Sequence, residues 1–169
     1  MRAILVGVVP LLLVAAGCGA SAPPSSTPST LTGAKVEVRP FQTNILEEAR
    51  KNEAYRRVLF TGARSQLVVM TIPPGGDIGL ESHAHVEQLI FIASGMGKAI
   101  VNGVETPLVP GDVVVATPSS RHNIVNTGLA PLHIYTVYAP PNHIDGRVQP
   151  AKVDAKNDKP DEAFGATVR

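Results

Sequence analysis

Apolar and polar residues alternate with a period of two along most of the middle of the chain, from Arg57 to Tyr138. On an extended strand this period sends one set of side chains to a core and the other set to solvent. Turn-forming residues interrupt the pattern at short intervals, and Asn102-Gly103 is a strong signal for a two-residue hairpin. The strand-like segments are 57–60, 66–72, 88–93, 98–102, 113–116, 123–126 and 132–138. This number of short strands at this spacing predicts an all-β sandwich or barrel.

A single short helix is predicted ahead of the strands. Asn44 is followed by Ile45 and Leu46 and then by Glu47, so an N-cap residue has an acid three positions later. These signals predict a helix over about 45–53. After it the hydrophobic period changes from that of a helix to that of a strand.

The start of the chain is typical of an exported lipoprotein. Residues 3–16 form an apolar stretch after Arg2 that is too short to cross a bilayer and suits a secretory signal peptide. The following Ala15-Ala16-Gly17-Cys18 resembles a bacterial lipobox, which implies cleavage after residue 17 and lipidation of Cys18. An uncleaved anchor with an incidental cysteine is the alternative. The expected location is the cell envelope, with the protein lipid-anchored to the outer face of the cytoplasmic membrane or secreted.

Composition divides the remaining chain into three parts. Residues 18–34 are rich in Ser, Thr and Pro and lack apolar periodicity, which predicts a flexible tether. The folded domain is expected over residues 35–150. Residues 151–169 are charged and contain few apolar positions, so a disordered tail is expected there.

Charge and cysteine content narrow the classes of partner. The 169 residues include 15 Lys and Arg against 14 Asp and Glu, without a basic run and without Trp, which argues against a nucleic-acid partner. Cys18 is the single cysteine, so no intramolecular disulfide is available. The expected partners are therefore a small-molecule ligand and a membrane reached through the lipid anchor only, and a homodimer remains open.

Three histidines are candidate metal ligands. His83 and His85 are two residues apart just ahead of a strand, and on extended backbone both imidazoles project from one face. His122, near the start of a later strand, is placed to supply a third nitrogen from across a barrel. Three imidazoles suit Zn, Mn, Fe, Ni or Cu, and spacing alone does not choose among these divalent metals.

Two segments carry a resemblance to a known family. Residues 76–95 resemble the first motif of the cupins, G-x5-H-x-H-x3,4-E-x6-G, and residues 111–126 resemble the second, G-x5-P-x-G-x2-H-x3-N. Residues 56–62 and 135–143 look like one subgroup of small cupin-2 proteins often labelled mannose-6-phosphate isomerase-like. The resemblance implies a double-sheet jelly-roll barrel that holds a divalent metal in its mouth.

The first motif departs from the family pattern in two places. Gly76 lies seven residues before His83, one more than the motif asks. The motif glutamate has no clean counterpart: counting back from Gly95 leads to Gln88, whereas strict alternation from His85 leads to Glu87.

The fourth ligand decides the charge of the expected site. We favour Gln88, so the predicted metal ligands are His83, His85, Gln88 and His122. A neutral amide would leave this site one negative charge short of three histidines plus a carboxylate.

Two functions follow from these expectations. The first is a lipid-anchored binding protein that holds a metal and a small polar ligand in the barrel mouth. The alternative is a metal-dependent isomerase or dioxygenase acting on a small sugar or carboxylate, which would need a titratable base near the metal. Glu81, Glu87 and His143 are the nearby candidates for that base, and His133 is expected to be a wall histidine. A mannose 6-phosphate substrate fits poorly, since no basic cluster near the motifs would hold a phosphate.

Overall fold

The computed structural model describes residues 40–169. The predicted signal peptide (1–17), the tether (18–34) and the lipidation site Cys18 lie outside the described residues. The described elements, in chain order, are α1 (Ile45–Lys51), β1 (Arg56–Thr61), β2 (Gln66–Ile72), β3 (Glu87–Ser94), β4 (Gly97–Val101), β5 (Val104–Leu108), β6 (Val113–Ala116), β7 (His122–Asn126), β8 (Leu132–Ala139), β9 (Val148–Gln149), α2 (Lys152–Asn157) and α3 (Lys159–Ala166).

The strands form two antiparallel sheets. One has six strands in the order β6-β3-β8-β2-β1-β9, and the other has three in the order β5-β4-β7. The segment 76–81 extends the smaller sheet along β7, because the N–H of Ile78 donates to the carbonyl of Ile124 at 3.0 Å and the N–H of Asn126 donates to that of Gly76 at 2.9 Å. The predicted all-β cupin barrel of jelly-roll type is confirmed.

Two glycines explain why the strands turn where the sequence predicts. Asn102 and Gly103, with φ of 50° and 85°, form the hairpin between β4 and β5. Both central residues of such a turn need positive φ, which Asn and Gly tolerate. Gly95 has a φ of +88°, and a Cβ there would lie 2.7 Å from the carbonyl oxygen of Pro131. The loop between β3 and β4 therefore depends on a residue without a side chain.

The main core lies between the two sheets. Alternate residues of β2, β3 and β8 face inward and meet Ile124 of β7, as the period of two predicts. These buried residues include Val68, Met70, Ile72, Ile90, Ile92, Ile134 and Ile124. On the outer face of the larger sheet, Ala49 of α1 packs with Val69 and Ala93 in a second, smaller cluster. The helix thus covers one outer face of the barrel and leaves the mouth free.

Helix α1 begins as predicted and ends earlier. The side chain of Asn44 accepts a hydrogen bond from the N–H of Glu47 at 3.3 Å, which caps the first turn. The expected continuation to residue 53 is wrong, because Asn52 is extended, with a ψ of 130°. The side-chain amide of Asn52 donates a hydrogen bond to the hydroxyl of Thr71 at 2.9 Å, and this bond to β2 holds the chain out of the helix.

The expectation of a disordered tail over 151–169 is wrong. This region contains α2 and α3, and Asp161 of α3 is only 4% exposed. Its carboxylate accepts a hydrogen bond from the N–H of Ile144 at 2.8 Å, and Lys152 of α2 pairs with Asp77. Two of the charged residues that suggested a solvated tail, Lys152 and Asp161, have partners outside the tail, which composition alone does not reveal. Neither helix, nor α1, is long and apolar enough to span a bilayer.

Candidate metal centre

Backbone pairing at the barrel mouth brings two functional side chains together. Glu81 and His122 face each other across an antiparallel bridge, in which each backbone N–H donates to the other residue's carbonyl at 3.0 and 2.9 Å. His83 lies two residues beyond Glu81, and its imidazole reaches the same place as the Glu81 carboxylate. Gln88, near the start of β3, reaches the same place from the larger sheet. The centre thus joins the two sheets at one end of the barrel.

The side-chain atoms of these residues converge. The potential ligand atoms of Glu81, His83 and His122 all lie within 4.8 Å of one another. Glu81 Oε1 is 3.6 Å from His83 Nε2 and 3.4 Å from His122 Nε2. Gln88 Oε1 is 3.0 Å from the same His122 nitrogen. One carboxylate, one amide oxygen and two imidazole nitrogens therefore surround a common point.

The electrostatics of the centre favour a negative charge on Glu81. Burial would raise the pKa of its carboxyl, but the contacts with His122 and His83 outweigh burial and hold that pKa well below its usual range. Burial would lower the pKa of His122, yet the Glu81 carboxylate beside it raises that pKa above its ordinary value. The carboxylate is thus ionised, and it attracts a positive charge to the nitrogens that face it.

The tautomer of His122 tests whether the centre fits a metal ion. His122 Nδ1 is 3.1 Å from the carbonyl oxygen of Ser120, which can only accept, so Nδ1 carries the hydrogen. In the neutral ring, Nε2 then presents a lone pair to two further acceptors, the oxygens of Glu81 and Gln88. His83 Nε2 is also buried and has no hydrogen-bond partner among residues 40–169. A cation at the centre would satisfy all four groups, and a carbonyl on Nδ1 is the usual orienting contact of a metal-bound histidine. The residues fit a divalent metal.

The structure brings together three of the four predicted ligands and not the fourth. His83, Gln88 and His122 belong to the group, and Glu87 is exposed. His85 is exposed and stands outside the group, contrary to the expected pairing with His83. The reason is a bend at Ala84 and His85, which ends the extended backbone that an i, i+2 pair requires.

Glu81 takes the position that the sequence analysis gave to a histidine, and the sequence holds a signal for it. We count the first motif again with Glu81 and His83 in place of its two histidines. The motif then begins at Gly75, and five residues separate Gly75 from Glu81. Four residues then separate His83 from Gln88, and six separate Gln88 from Gly95. The departures in spacing disappear in this register, in which Glu81 stands where the motif has its first histidine and Gln88 stands where it has glutamate. The donor set therefore contains a carboxylate, and the expected charge deficit at the site does not arise.

A cavity of about 460 Å³ adjoins the centre. Glu81, His83 and the exposed His85 line it, and further lining residues come from the chain after β8 and from α3. These further residues include Asn142, His143, Asp161 and Gly165. The tail expected to be disordered thus closes one side of the cavity beside the metal centre.

Of the two remaining histidines, His143 lines the cavity and His133 does not. His133 is half-buried on β8, where its Nδ1 lies 3.3 Å from the Thr71 hydroxyl, and it does not line the cavity. His143 is buried, 6% exposed, and its ring packs edge-on against Tyr138 with the ring centres 4.9 Å apart. The Tyr138 ring also meets the ring of His83, at 6.1 Å. His143 therefore belongs to the surroundings of the metal centre.

Comparisons with known proteins agree with this architecture. A family profile described as "Cupin domain" matches residues 68–138. The crystal structure of BH2720 from Bacillus halodurans is similar with a TM-score of 0.70 and 34% identity, over 72% of this chain and 97% of that chain. A protein with a double-stranded beta-helix domain from Klebsiella pneumoniae gives a TM-score of 0.52 and 30% identity, over 63% of this chain and 93% of that chain.

Among curated sequences, Uncharacterized protein YrkC of Bacillus subtilis (strain 168) is 37% identical over 123 residues. The match covers 69% of this chain and 66% of the relative, so about a third of that relative has no counterpart in the match. The chain belongs to the cupin superfamily, within the Cupin_2 domain family.

Proposed function

We propose that this protein binds a divalent metal ion at the barrel mouth and uses it to hold a small polar ligand in the adjacent cavity. The proposed ligands are Glu81, His83, Gln88 and His122, and the ion is one of Mn, Fe, Zn, Ni or Cu. The observation that carries the proposal is the convergence of four acceptors around a point where no residue of 40–169 supplies a donor to His83 Nε2.

The ion would supply Lewis acidity toward an oxygen of the ligand. The chain's own residues would orient the ligands and shape the space for the bound molecule. The Ser120 carbonyl orients His122, the backbone bridge positions Glu81, and the cavity wall limits the size of the ligand. Such a site resembles other small-molecule sites in that few polar groups converge in a concave space.

A metal-dependent enzyme is the second candidate. Two imidazoles and one carboxylate, here His83, His122 and Glu81, are the donor set of non-haem iron(II) oxygenases. A dioxygenase would show oxygen uptake that needs both Fe²⁺ and a small sugar or carboxylate, and an isomerase would interconvert such a compound without oxygen. Metal-loaded protein that binds a ligand without turnover favours the binding function.

The proposed location is the cell envelope, with the domain attached through an acylated Cys18. Its support is the apolar stretch over 3–16 and the resemblance of residues 15–18 to a lipobox. Acyl burial would supply the attachment, since the chain carries nearly balanced charge and no basic cluster for anionic lipid.

A matched pair of histidine variants tests the metal centre. His83→Ala removes a proposed ligand, and metal affinity should fall by at least ~10- to 100-fold, the range seen when supporting contacts of metal ligands are lost. His85→Ala removes an exposed histidine two residues away and should change the affinity by less than about threefold. Metal content after purification and calorimetric titration with Mn²⁺ and Zn²⁺ give both values. Equal losses in the two variants would contradict the assignment and return His85 to the ligand set.

A further inference from the structure

A second polar group lines the cavity on its α3 side and takes no part in the metal donor set. It consists of His143, in the chain after β8, Asp161 of α3 and Arg56 of β1. His143 Nδ1 lies 2.8 Å from Asp161 Oδ2, and both side chains are more than nine-tenths buried. Arg56 Nη1 is 3.2 Å from the same nitrogen and 3.7 Å from the same oxygen. The three residues thus form one cluster.

The surroundings of Asp161 assign the hydrogen on His143. Asp161 accepts from the N–H of Ile144 at 2.8 Å and from the amide of Gln149 at 3.2 Å. Burial would raise the pKa of Asp161, but the bonds from His143 and Ile144 outweigh burial, so the carboxyl is ionised at neutral pH. An ionised carboxylate only accepts. The 2.8 Å contact therefore requires that Nδ1 of His143 carries the hydrogen, and the Arg56 guanidinium, 3.2 Å from Nδ1, acts there through its charge and not through a hydrogen bond.

The other ring nitrogen of His143 is then a buried acceptor. Burial lowers the pKa of His143, so the ring is neutral at physiological pH and Nε2 presents a lone pair. Nε2 is buried and has no hydrogen-bond partner within residues 40–169. Buried polar atoms in folded proteins nearly always have a partner, so this nitrogen indicates a group that the chain itself does not supply.

Arg56 offers the complementary group. Its Nε is also buried and unpartnered in the described part of the chain, and its side chain is 13% exposed. Of the buried polar side-chain atoms without a partner in that part, Nε of Arg56 and Nε2 of His83 and His143 belong to residues that line this cavity. Two residues of the cavity wall, Arg56 and His143, therefore carry a donor and an acceptor that have no partner in that part of the chain.

We propose that the cavity binds a small hydroxycarboxylate, whose hydroxyl donates to His143 Nε2 and whose carboxylate accepts from Arg56 Nε. A hydroxyl is the neutral donor that a bare imidazole nitrogen takes, and a carboxylate is the acceptor that matches a guanidinium. Asp161 acts as a positioning residue, because it fixes the tautomer of His143. The inference rests on the proposed function in one respect, that the same cavity holds the ligand beside the metal. A volume of about 460 Å³ suits a ligand of this size class.

Three small molecules with three carbons each distinguish the hydroxyl contact with His143 from the carboxylate contact with Arg56. Lactate has the hydroxyl and the carboxylate, propionate has only the carboxylate, and 1,2-propanediol has only hydroxyls. Calorimetric titrations use the full chain, with and without Mn²⁺, and Mn²⁺ affinity is measured first. Lactate should bind about 3- to 10-fold more tightly than either other probe, the effect of one hydrogen bond to a buried partner.

Histidine variants assign the hydroxyl contact. His143→Phe should reduce lactate affinity to that of propionate, and His143→Gln should retain part of the preference because an amide oxygen also accepts. His133→Phe is the matched control, since His133 lies outside the cavity, and it should leave the preference unchanged. All three should bind Mn²⁺ like the original chain. A missing Mn²⁺ response would contradict the proposed metal centre, whereas the lactate preference still decides the present inference.

The tautomer of His143 provides a test that needs no ligand. In ¹⁵N NMR spectra of the imidazole, Nδ1 should be protonated and Nε2 bare, and lactate should move the Nε2 signal upfield. Asp161→Asn should shift the population toward the other tautomer, an effect that a purely structural role would not produce. The inference is overturned if His143→Phe keeps the lactate preference, if lactate and propionate bind alike, if propanediol binds as tightly as lactate, or if Nε2 carries the hydrogen.

Discussion

The charge at the metal centre can be tested by moving a single carboxylate. Glu81 supplies one negative charge to the donor set, and Gln88 supplies a neutral oxygen of similar reach. The two side-chain oxygens lie 3.4 and 3.0 Å from the same nitrogen of His122. Glu81→Gln therefore removes the charge with little change of shape, Gln88→Glu adds a second charge beside the first, and the double variant moves the charge while the total stays constant.

The expected magnitude follows from the proposed role of Glu81 as a direct ligand. Loss of a contact that merely supports a ligand costs about 10- to 100-fold in affinity, so loss of the carboxylate itself should cost at least ~100-fold, or ~3 kcal/mol. At a free metal concentration about 1,000 times the original dissociation constant, binding stabilises the folded protein by about 4.1 kcal/mol. A hundredfold weaker site retains about 1.4 kcal/mol of this, which lowers the Tm of a domain of this size by roughly 10 °C.

Calorimetric titration and thermal denaturation with and without metal provide the assay. Gln88→Glu should bind most tightly, the original chain and the double variant should be similar, and Glu81→Gln should bind most weakly. Without metal the order of stability changes, because Gln88→Glu places two carboxylates beside His122 and should lower the Tm. The assignment of Glu81 as a ligand would be refuted by either of two results. The first is a Glu81→Gln variant that binds metal as tightly as the original chain. The second is a double variant that binds metal no more tightly than Glu81→Gln alone.

Three further predictions concern the anchor, a turn and the tail. Cys18→Ala should leave the chain unprocessed or released, and membrane fractionation that still finds mature-sized protein in the membrane would contradict lipidation. Gly95→Ala should lower the free energy of unfolding by ~1–3 kcal/mol in urea, because its Cβ would lie 2.7 Å from the Pro131 carbonyl. Gly103→Ala, where nothing lies within 4 Å, should cost less, and equal losses would disprove the steric reason. The pKa of Asp161 is lower in the folded state than its ordinary value, so its contribution to stability is present above about pH 4 and is lost as pH falls through the folded-state pKa. Asp161→Asn should remove that acid dependence, and an unchanged slope of stability against pH would argue against the buried carboxylate.

Most of the barrel could be predicted from the sequence, because a strand buried on one face imposes a period of two. Strand β2 has the predicted bounds, Gln66–Ile72, and the Asn102-Gly103 turn marks the β4–β5 hairpin. The pairing of segment 76–81 with β7 was not predicted, because its glycines and the preceding proline-rich turn are typical of a loop. The helices of the tail were not predicted for another reason. Its helices are held by buried polar contacts such as the hydrogen bond of Asp161 with His143, and composition cannot tell a buried carboxylate from a solvated one.

The candidate site was predicted in part, and its error has a local cause. Two histidines two residues apart share a face only where the backbone is extended, and the bend at Ala84 and His85 removes that condition. The spacing from Gly75 through Glu81 to Gln88 matches the residues that converge in the structure, but it requires a glutamate in a position where the family pattern has histidine. With Glu81 in the donor set, the amide of Gln88 does not leave the centre without a carboxylate.

A metal ion held by Glu81 would also stabilise the barrel mouth. Glu81 and His122 are paired through their backbones in the smaller sheet, whereas Gln88 belongs to the larger sheet, so a bound metal would link the two sheets. Metal should therefore slow hydrogen exchange at the amides of Glu81 and His122, which donate to each other's carbonyls. The protection should rise up to ~1,000-fold at saturating metal where these amides exchange by local opening. The N–H of Val58, bonded to the Arg147 carbonyl at 2.8 Å away from the centre, is the control. Equal protection at all three amides would mean that metal acts only on global unfolding, and that it does not close the mouth by joining the sheets.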